Sequence, residues 1–298
     1  MPYRSFPLPH AKTPTKSATG RRRRFALAGA GVLLASATAL VSSGPLPAIP
    51  AAAVTAASRD AAVPPGSAAP VVPLNKARVT AAVLDLDGTG LRPTLYGDDT
   101  PYDTASIIKV DILAALLLQA QDAGRPLDAT QGTLARAMIE HSDNAAANAL
   151  WRQIGLAPGL EAANKRLGLT STKGGPGFLW GLTRTTASDQ IRLLRAVFGP
   201  GPTALDKTSR SAIRTLMTHI ADDQSWGVSA AGSGWALKNG WLERTATGLW
   251  DINSIGQVTM NGHRYLVAVL SDGNTSMNDG ISLVERTART AVSAASAR

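Results

Sequence analysis

Three short clusters in this sequence carry side chains able to do acid–base or nucleophilic work: Ser106-Ile107-Ile108-Lys109, Ser142-Asp143-Asn144 and Lys238-Asn239-Gly240. A serine hydroxyl is a poor nucleophile near neutral pH and needs a base within hydrogen-bond reach. Three residues along a helix is one turn, so a helical Lys109 places its amine beside the Ser106 hydroxyl. At a helix start the free backbone N–H groups and the positive end of the dipole favour an oxyanion. Alone the pair is weak, since a Ser and a Lys three apart are expected about once in a chain of this size. Ser142 and Asn144 could reach a substrate from a loop, one relaying a proton and the other hydrogen-bonding an amide. The same residue types are also ordinary helix N-caps. Lys238 sits among apolar Trp235, Leu237 and Trp241, where a lone strand lysine is usually a solvated edge residue. Gly240 permits a close backbone approach.

Other constellations fare worse. His10, His141, His219 and His263 have no metal-ligand spacing, so no metal site is expected. The segment Gly227-Val228-Ser229-Ala230-Ala231 lacks the final glycine of a nucleophile elbow. Gly175-Pro176-Gly177 reads as a turn, not a phosphate loop, and Ser271-Asp272-Gly273 as another turn. Asn274-Thr275-Ser276 matches a glycosylation acceptor, weak as a single match. The tryptophans 180, 226, 235 and 241 read as core, with one or two lining a cleft.

The elements that must position these groups alternate in type. Strand patterns cover 79–86 and 94–96, and 88–90 is a turn. Helical patterns follow at 107–123 (stopped by Gly124 and Pro126), 131–140, 144–154, 160–167, 188–198 (capped by Thr186 or Ser188) and 209–220. Strands return at 234–241, 249–258 and 264–270, and a helix at 280–295 closes the pattern. Strands, a helical block, more strands and a last helix predict an antiparallel sheet whose first and last strands meet.

Composition narrows the function classes. The 298 residues include no cysteine, which excludes a disulfide framework, a Cys-ligated metal and a thiol nucleophile. The net charge of +9 is unevenly spread: residues 1–74 carry eight bases and one acid, whereas 75–298 carry 22 bases and 20 acids. A near-neutral body offers no footprint for a phosphate backbone, so no nucleic acid is expected. Arg21 to Arg24 precede an uncharged apolar run at 25–41, the layout of an export signal. The four arginines also fit a twin-arginine signal, so either export route stays open. At 17 residues the run is just under bilayer-spanning length, leaving a membrane tether through 25–41 as the alternative to cleavage. Residues 44–74, rich in Ala and Pro, read as a flexible linker. The expected organisation is signal or anchor 1–43, linker 44–74 and one domain at 75–298, exported, secreted or envelope-associated, and monomeric.

In order and context the three clusters resemble the motifs of the penicillin-recognising serine enzymes, most nearly the class A β-lactamases. The segments IEHSDNAAANALWRQIG and TRTTASDQIRLLRAVF are similar to that family's stretches around its Ser-Asp-Asn and after its Ω loop. The resemblance, over roughly 75–293, implies an α/β fold: a five-stranded antiparallel sheet backed by N- and C-terminal helices, plus an all-helical subdomain. It implies Ser106 as acylated nucleophile, Lys109 as its base and Ser142 as proton relay to the leaving nitrogen. Asn144 would hold the substrate's amide, Lys238 and Asn239 its carboxylate, and the backbone N–H of Ser106 and Trp241 the oxyanion. No cofactor is implied, and the substrate would be a β-lactam or a peptidoglycan-peptide-like molecule.

Three departures qualify the resemblance. The first two motifs are closer together than in typical class A enzymes. Asn239 replaces the family's Thr or Ser. Most consequentially, no Asp or Glu occurs between Glu161 and Asp189, where class A enzymes keep the Glu that activates the deacylating water. The expectation is therefore acylation with slow turnover. A D-Ala-D-Ala-type peptidase, another serine amidase or esterase, and a penicillin-binding module without turnover are the alternatives.

Overall fold

The computed structural model describes residues 77–88 and 92–297. The signal and linker assigned to 1–43 and 44–74, and any helix before residue 77, lie outside the described residues. In chain order the elements are β1 (Arg78–Asp85), β2 (Thr94–Tyr96), β3 (Tyr102–Asp103), α1 (Ile108–Asp122), α2 (Ala129–Glu140), α3 (Asn144–Gln153) and α4 (Leu156–Leu167). There follow β4 (Arg184–Thr185), α5 (Ala187–Phe198), α6 (Lys207–Met217), β5 (Ser233–Glu243), β6 (Trp250–Met260), β7 (His263–Asn274) and α7 (Met277–Ser296).

Five strands form one antiparallel sheet in the order β2-β1-β7-β6-β5. The first long strand pairs with the last, as the element pattern predicts. Period-two alternation divides the strand side chains between two cores. Ala82, Leu84, Ile255, Leu266, Ala268 and Leu270 join the core shared with the helical block. Their neighbours Ala81, Val83, Ile252, Val267 and Val269 pack on Val284, Ala288 and Val292 of α7. A sheet covered on both faces reads as continuous apolar runs, which is why TAAVLDL and YLVAVL are so uniform. The β6–β7 hairpin closes on Asn261-Gly262, at φ +52° and +82° between the paired Met260 and His263, the geometry an Asn-Gly dipeptide favours.

Helix starts follow local chemistry. Asp128 and Gln131 form a reciprocal capping box on α2, and Asp143, Thr186 and Asp206 cap α3, α5 and α6. Helix α4 starts four residues earlier than its apolar pattern predicts, after a left-handed Gly155. Pro158 is accommodated because the first turn needs no donor from it. Two features have no signal in the sequence pattern. A 3₁₀ turn, Ala105–Ile107, precedes α1, and the two-residue strands β3 and β4 pair with each other. No helix among the described residues is long and apolar enough to cross a membrane.

Candidate active site

Ser106 lies in the 3₁₀ turn, half-buried, immediately after Ala105, whose φ is +46°. A non-glycine residue in the left-handed region is strained, and such strain persists only where surrounding structure holds it. Here β5 and β6 hold it. A Cβ on Gly240 would stand 2.7 Å from the Ser106 nitrogen and 2.8 Å from both the Ile107 nitrogen and the Thr104 oxygen. Only glycine lets the strand come this close. From β6, the fully buried Asn253 donates through Nδ2 to the carbonyls of Asp103 at 2.9 Å and Thr104 at 3.1 Å. The Ser106 turn is thus docked on one face of the paired β5 and β6, where Gly240 and Asn253 lie opposite each other.

Opposite, the loop between α2 and α3 brings Ser142 in, again at positive φ, +53°. Its hydroxyl lies between two amines: Lys109 Nζ donates to Ser142 Oγ at 3.0 Å, and Lys238 Nζ at 3.1 Å. Lys109 also donates to the Ser142 carbonyl at 2.6 Å and to Asn144 Oδ1 at 2.8 Å. Lys238 donates to the Asn239 carbonyl at 2.9 Å. Both lysines are fully buried. Burial lowers the Lys109 amine to about 7, with the Asp143 carboxylate opposing the drop. The Lys238 amine is pushed well below the ordinary lysine range by burial and then by the Lys109 charge. Two cations sharing one hydroxyl repel, so a neutral amine at one of them is the favoured state near neutral pH. A neutral lysine amine can take a proton.

The three sequence clusters therefore converge. Asn144 and Trp241 line the cleft with Ser106, and Gly240 makes the close contact anticipated for it. Lys109, however, hydrogen-bonds Ser142 and Asn144 in this state. Such bonds commonly rearrange when substrate arrives. Asn239 departs from its expected place. It is fully buried, and its Nδ2 donates to the carbonyls of Gln224 at 2.7 Å and Trp226 at 2.9 Å. Lys238 and Asn239 point to opposite faces of β5. The amide anticipated for a substrate carboxylate instead clamps the 3₁₀ turns at 222–231 onto the strand.

Three further residues beside the cleft, Asn253, Asn148 and Arg244, escaped sequence reasoning, and Trp180 is one of the tryptophans anticipated to line it. Asn253 is one, a buried strand asparagine with no motif around it. The ring of Trp180 lies 4.9 Å from Lys109 Nζ, and its Nε1 donates to Asn148 Oδ1 at 2.7 Å. Asn148 is one helical turn beyond Asn144, the one signal that could have found it. Arg244, the third, pairs with Asp103, three residues before Ser106, and with Asp251 at 2.6 Å.

The loop from 168 to 186 forms the facing wall. It is tied to the Ser106 turn by Thr104, which donates from its nitrogen to the Thr183 carbonyl at 2.9 Å and from Oγ1 to the Gly181 carbonyl at 3.4 Å. The cleft so enclosed has a volume of about 560 Å³, in the range of small-molecule sites.

Comparison with known proteins identifies the fold. Three solved structures share the fold. The extended-spectrum β-lactamase TLA-1 superposes with a TM-score of 0.63 at 16% identity, covering 74% of this chain and 93% of that one. A class A β-lactamase from Bacteroides cellulosilyticus gives 0.64 at 18%, covering 75% and 93%. The protein PBP-A gives 0.63 at 22%, covering 76% and 92%. No curated protein matches the sequence. The sequence model of the beta-lactamase enzyme family matches residues 123–295. That stretch begins beyond Ser106 and Lys109, which the fold then delivers to Ser142 and Lys238; the chain belongs to the β-lactamase enzyme family.

Proposed function

We propose that the protein is a serine hydrolase that opens a β-lactam amide through an acyl-Ser106 intermediate and releases the product slowly. The observation that carries this is the Ser142 hydroxyl held between two buried lysine amines beside the Ser106 turn. Ser106 Oγ attacks the carbonyl, its proton passing to neutral Lys109. The C–N bond then breaks as Ser142 hands a proton to the leaving nitrogen and recovers one from the lysines. The Ser106 and Trp241 N–H groups face the oxyanion, and Asn144 holds the substrate amide. Since Asn239 is committed elsewhere, a substrate carboxylate acts on Lys238 alone. Its negative charge raises that amine's proton affinity and keeps Lys109 neutral. With residues 162–188 free of carboxylates, no general base is supplied from the loop, help typically worth about 10² to 10⁴-fold. A variant of the similar-fold PBP-A has been captured as an acyl-enzyme complex with penicillin G, which supports the acylation half. The charge layout of 21–41 supports an exported body.

Intact-mass spectrometry of the purified protein with a penicillin, run beside chromogenic cephalosporin turnover, tests this. A penicilloyl mass shift that vanishes in Ser106→Ala, with turnover slower than labelling, is expected. An adduct that survives Ser106→Ala would refute the assignment. A stable label without turnover would move the protein to the peptidase or binding class.

A further inference from the structure

Phe178 and Leu179 are 49% and 55% exposed, and with Leu95 they are the exposed large hydrophobic side chains of the described residues. Leu95 is on β2, at the sheet edge remote from β5. Scattered apolar residues on a surface are ordinary. Two neighbours that both line the cleft holding Ser106 are different, because whatever enters the cleft can cover them.

The loop does not expose them through slackness. Trp151 Nε1 donates to the Gly177 carbonyl at 2.7 Å, and the Leu179 nitrogen to the Pro176 carbonyl at 2.9 Å. The Leu182 nitrogen donates to the Leu179 carbonyl at 2.9 Å, and the Gly175 nitrogen to Thr183 Oγ1 at 3.0 Å. A Cβ on Gly175 would stand 2.1 Å from the Leu179 oxygen, so the loop is folded tightly on itself. The Arg152 guanidinium, 5.0 Å from the Phe178 ring centroid, braces one face of that ring. Both apolar groups are held out at the rim.

The rest of this arm of the cleft continues the theme, with Leu182 and Leu242 behind the lip. At its far end Arg244 is spent on Asp103 and Asp251, and the exposed Glu243 carboxylate disfavours an anionic occupant. The proton relay lies on the Ser142 side of Ser106, so the leaving nitrogen departs there, and the acyl portion kept on Ser106 directs its amide-linked side chain into the apolar arm. We propose that Phe178 and Leu179 are specificity-determining residues that select substrates whose amide next to the attacked carbonyl carries an apolar acyl substituent, aryl or medium-chain aliphatic, over a charged peptide stem. This rests on the acyl-Ser106 chemistry proposed above.

The test uses the full-length protein and two substrate sets that carry the same N-acyl groups at the same distance from the attacked carbonyl: penicillins differing only in the side-chain acyl group, and p-nitrophenyl esters of the matching N-acylglycines. Acetyl, butanoyl, hexanoyl and phenylacetyl members are compared by the second-order rate constant for Ser106 acylation, read by intact mass. The rate should climb along the aliphatic series by up to about fourfold for each methylene fully buried. The double variant Phe178→Ala with Leu179→Ala should flatten that climb, while Leu95→Ala leaves it intact. Both lip residues are solvent-facing, so folding is not at stake. Equal rates for acetyl and hexanoyl members, or a climb that survives the double replacement, would overturn the proposal. If only the esters label Ser106 and show the climb, the lip stands and the β-lactam assignment falls. If neither set labels Ser106, both fall together.

Discussion

In the proposed mechanism Lys109 must be neutral to accept the Ser106 proton, and burial holds its amine near 7. The rate of Ser106 acylation should therefore rise with pH through about 7 and level off above it, the limb of a base that works only when deprotonated. Stopped-flow acylation between pH 5 and 9 checks this, and a flat profile would remove Lys109 from the role. Ser142→Ala deletes the hydroxyl between the two amines and should slow acylation by about 10² to 10⁴-fold, with the fold intact by circular dichroism. Gly240→Ala is the steric counterpart. Its methyl would meet three backbone atoms of the Ser106 turn, none of which can swing aside as a side-chain tip could. The turn must shift, and a displacement of about 1 Å at a nucleophile costs on the order of 10²-fold in rate; the same acylation assay reads it. That these residues come together was legible because their types and order form the three motifs. Asn239 was misplaced because orientation on an edge strand depends on what covers each face. The turns at 222–231 that cover this one have no periodic signal.

The loop from 168 to 186 shows how an element acts on chemistry without donating a reacting group. It is pinned to the Ser106 turn through Thr104 and to α5 through Thr172, whose Oγ1 donates to Asp189 Oδ2 at 2.7 Å. Pinned in this way, it lays Trp180 over the Lys109 amine, with Asn148 fixing the indole. The ring has two opposed effects. It excludes water, which favours the neutral amine, and its π face attracts the ammonium, by about 0.5 to 2 kcal/mol. Burial is the leading cause of the lowered Lys109 pKa, and the indole covers the amine, so exclusion is the effect expected to dominate. Trp180→Ala should move the midpoint of the acylation pH profile upward, toward the ordinary lysine value, and Trp180→Phe should keep it near 7. A midpoint unmoved by Trp180→Ala would mean that the fold around α1 dries the amine without the loop. Of the elements, the long helices and the five sheet strands were legible from apolar periodicity and caps. The β3–β4 pair was not, because two residues cannot display a period and their pairing is set by the tertiary approach of the loop to the Ser106 turn.

At the scale of the whole molecule, the two cores on either face of the sheet hold the strained turns at Ala105 and Ser142 in place. The order of strands and helices was legible because alternation and amphipathicity survive in the sequence, whereas the polar group inside the helical core was not. That group is Asp111 on α1, fully buried, with Asn164 of α4 donating to both of its oxygens at 3.0 and 3.2 Å when the amide nitrogen faces it. Burial, with the Asp189 carboxylate adding to it, raises the Asp111 carboxyl from 3.8 to about 8. The native state thus binds a proton that the unfolded chain gives up above about 4. Wherever the native state binds more protons, stability falls as pH rises, at about 1.4 kcal/mol per unit for one group. This contribution is intact below 4, declines between 4 and 8, and is flat above 8 where both states are ionised. Asp111→Asn has the shape of the neutral acid and no proton to lose. It should match the native protein within about 1 kcal/mol at pH 4 to 5 and exceed it by several kcal/mol at pH 8. Urea unfolding at several pH values reads this as a difference between the two proteins that widens with pH. A difference that stays constant from pH 5 to 8 would mean that Asp111 is ionised inside the folded core.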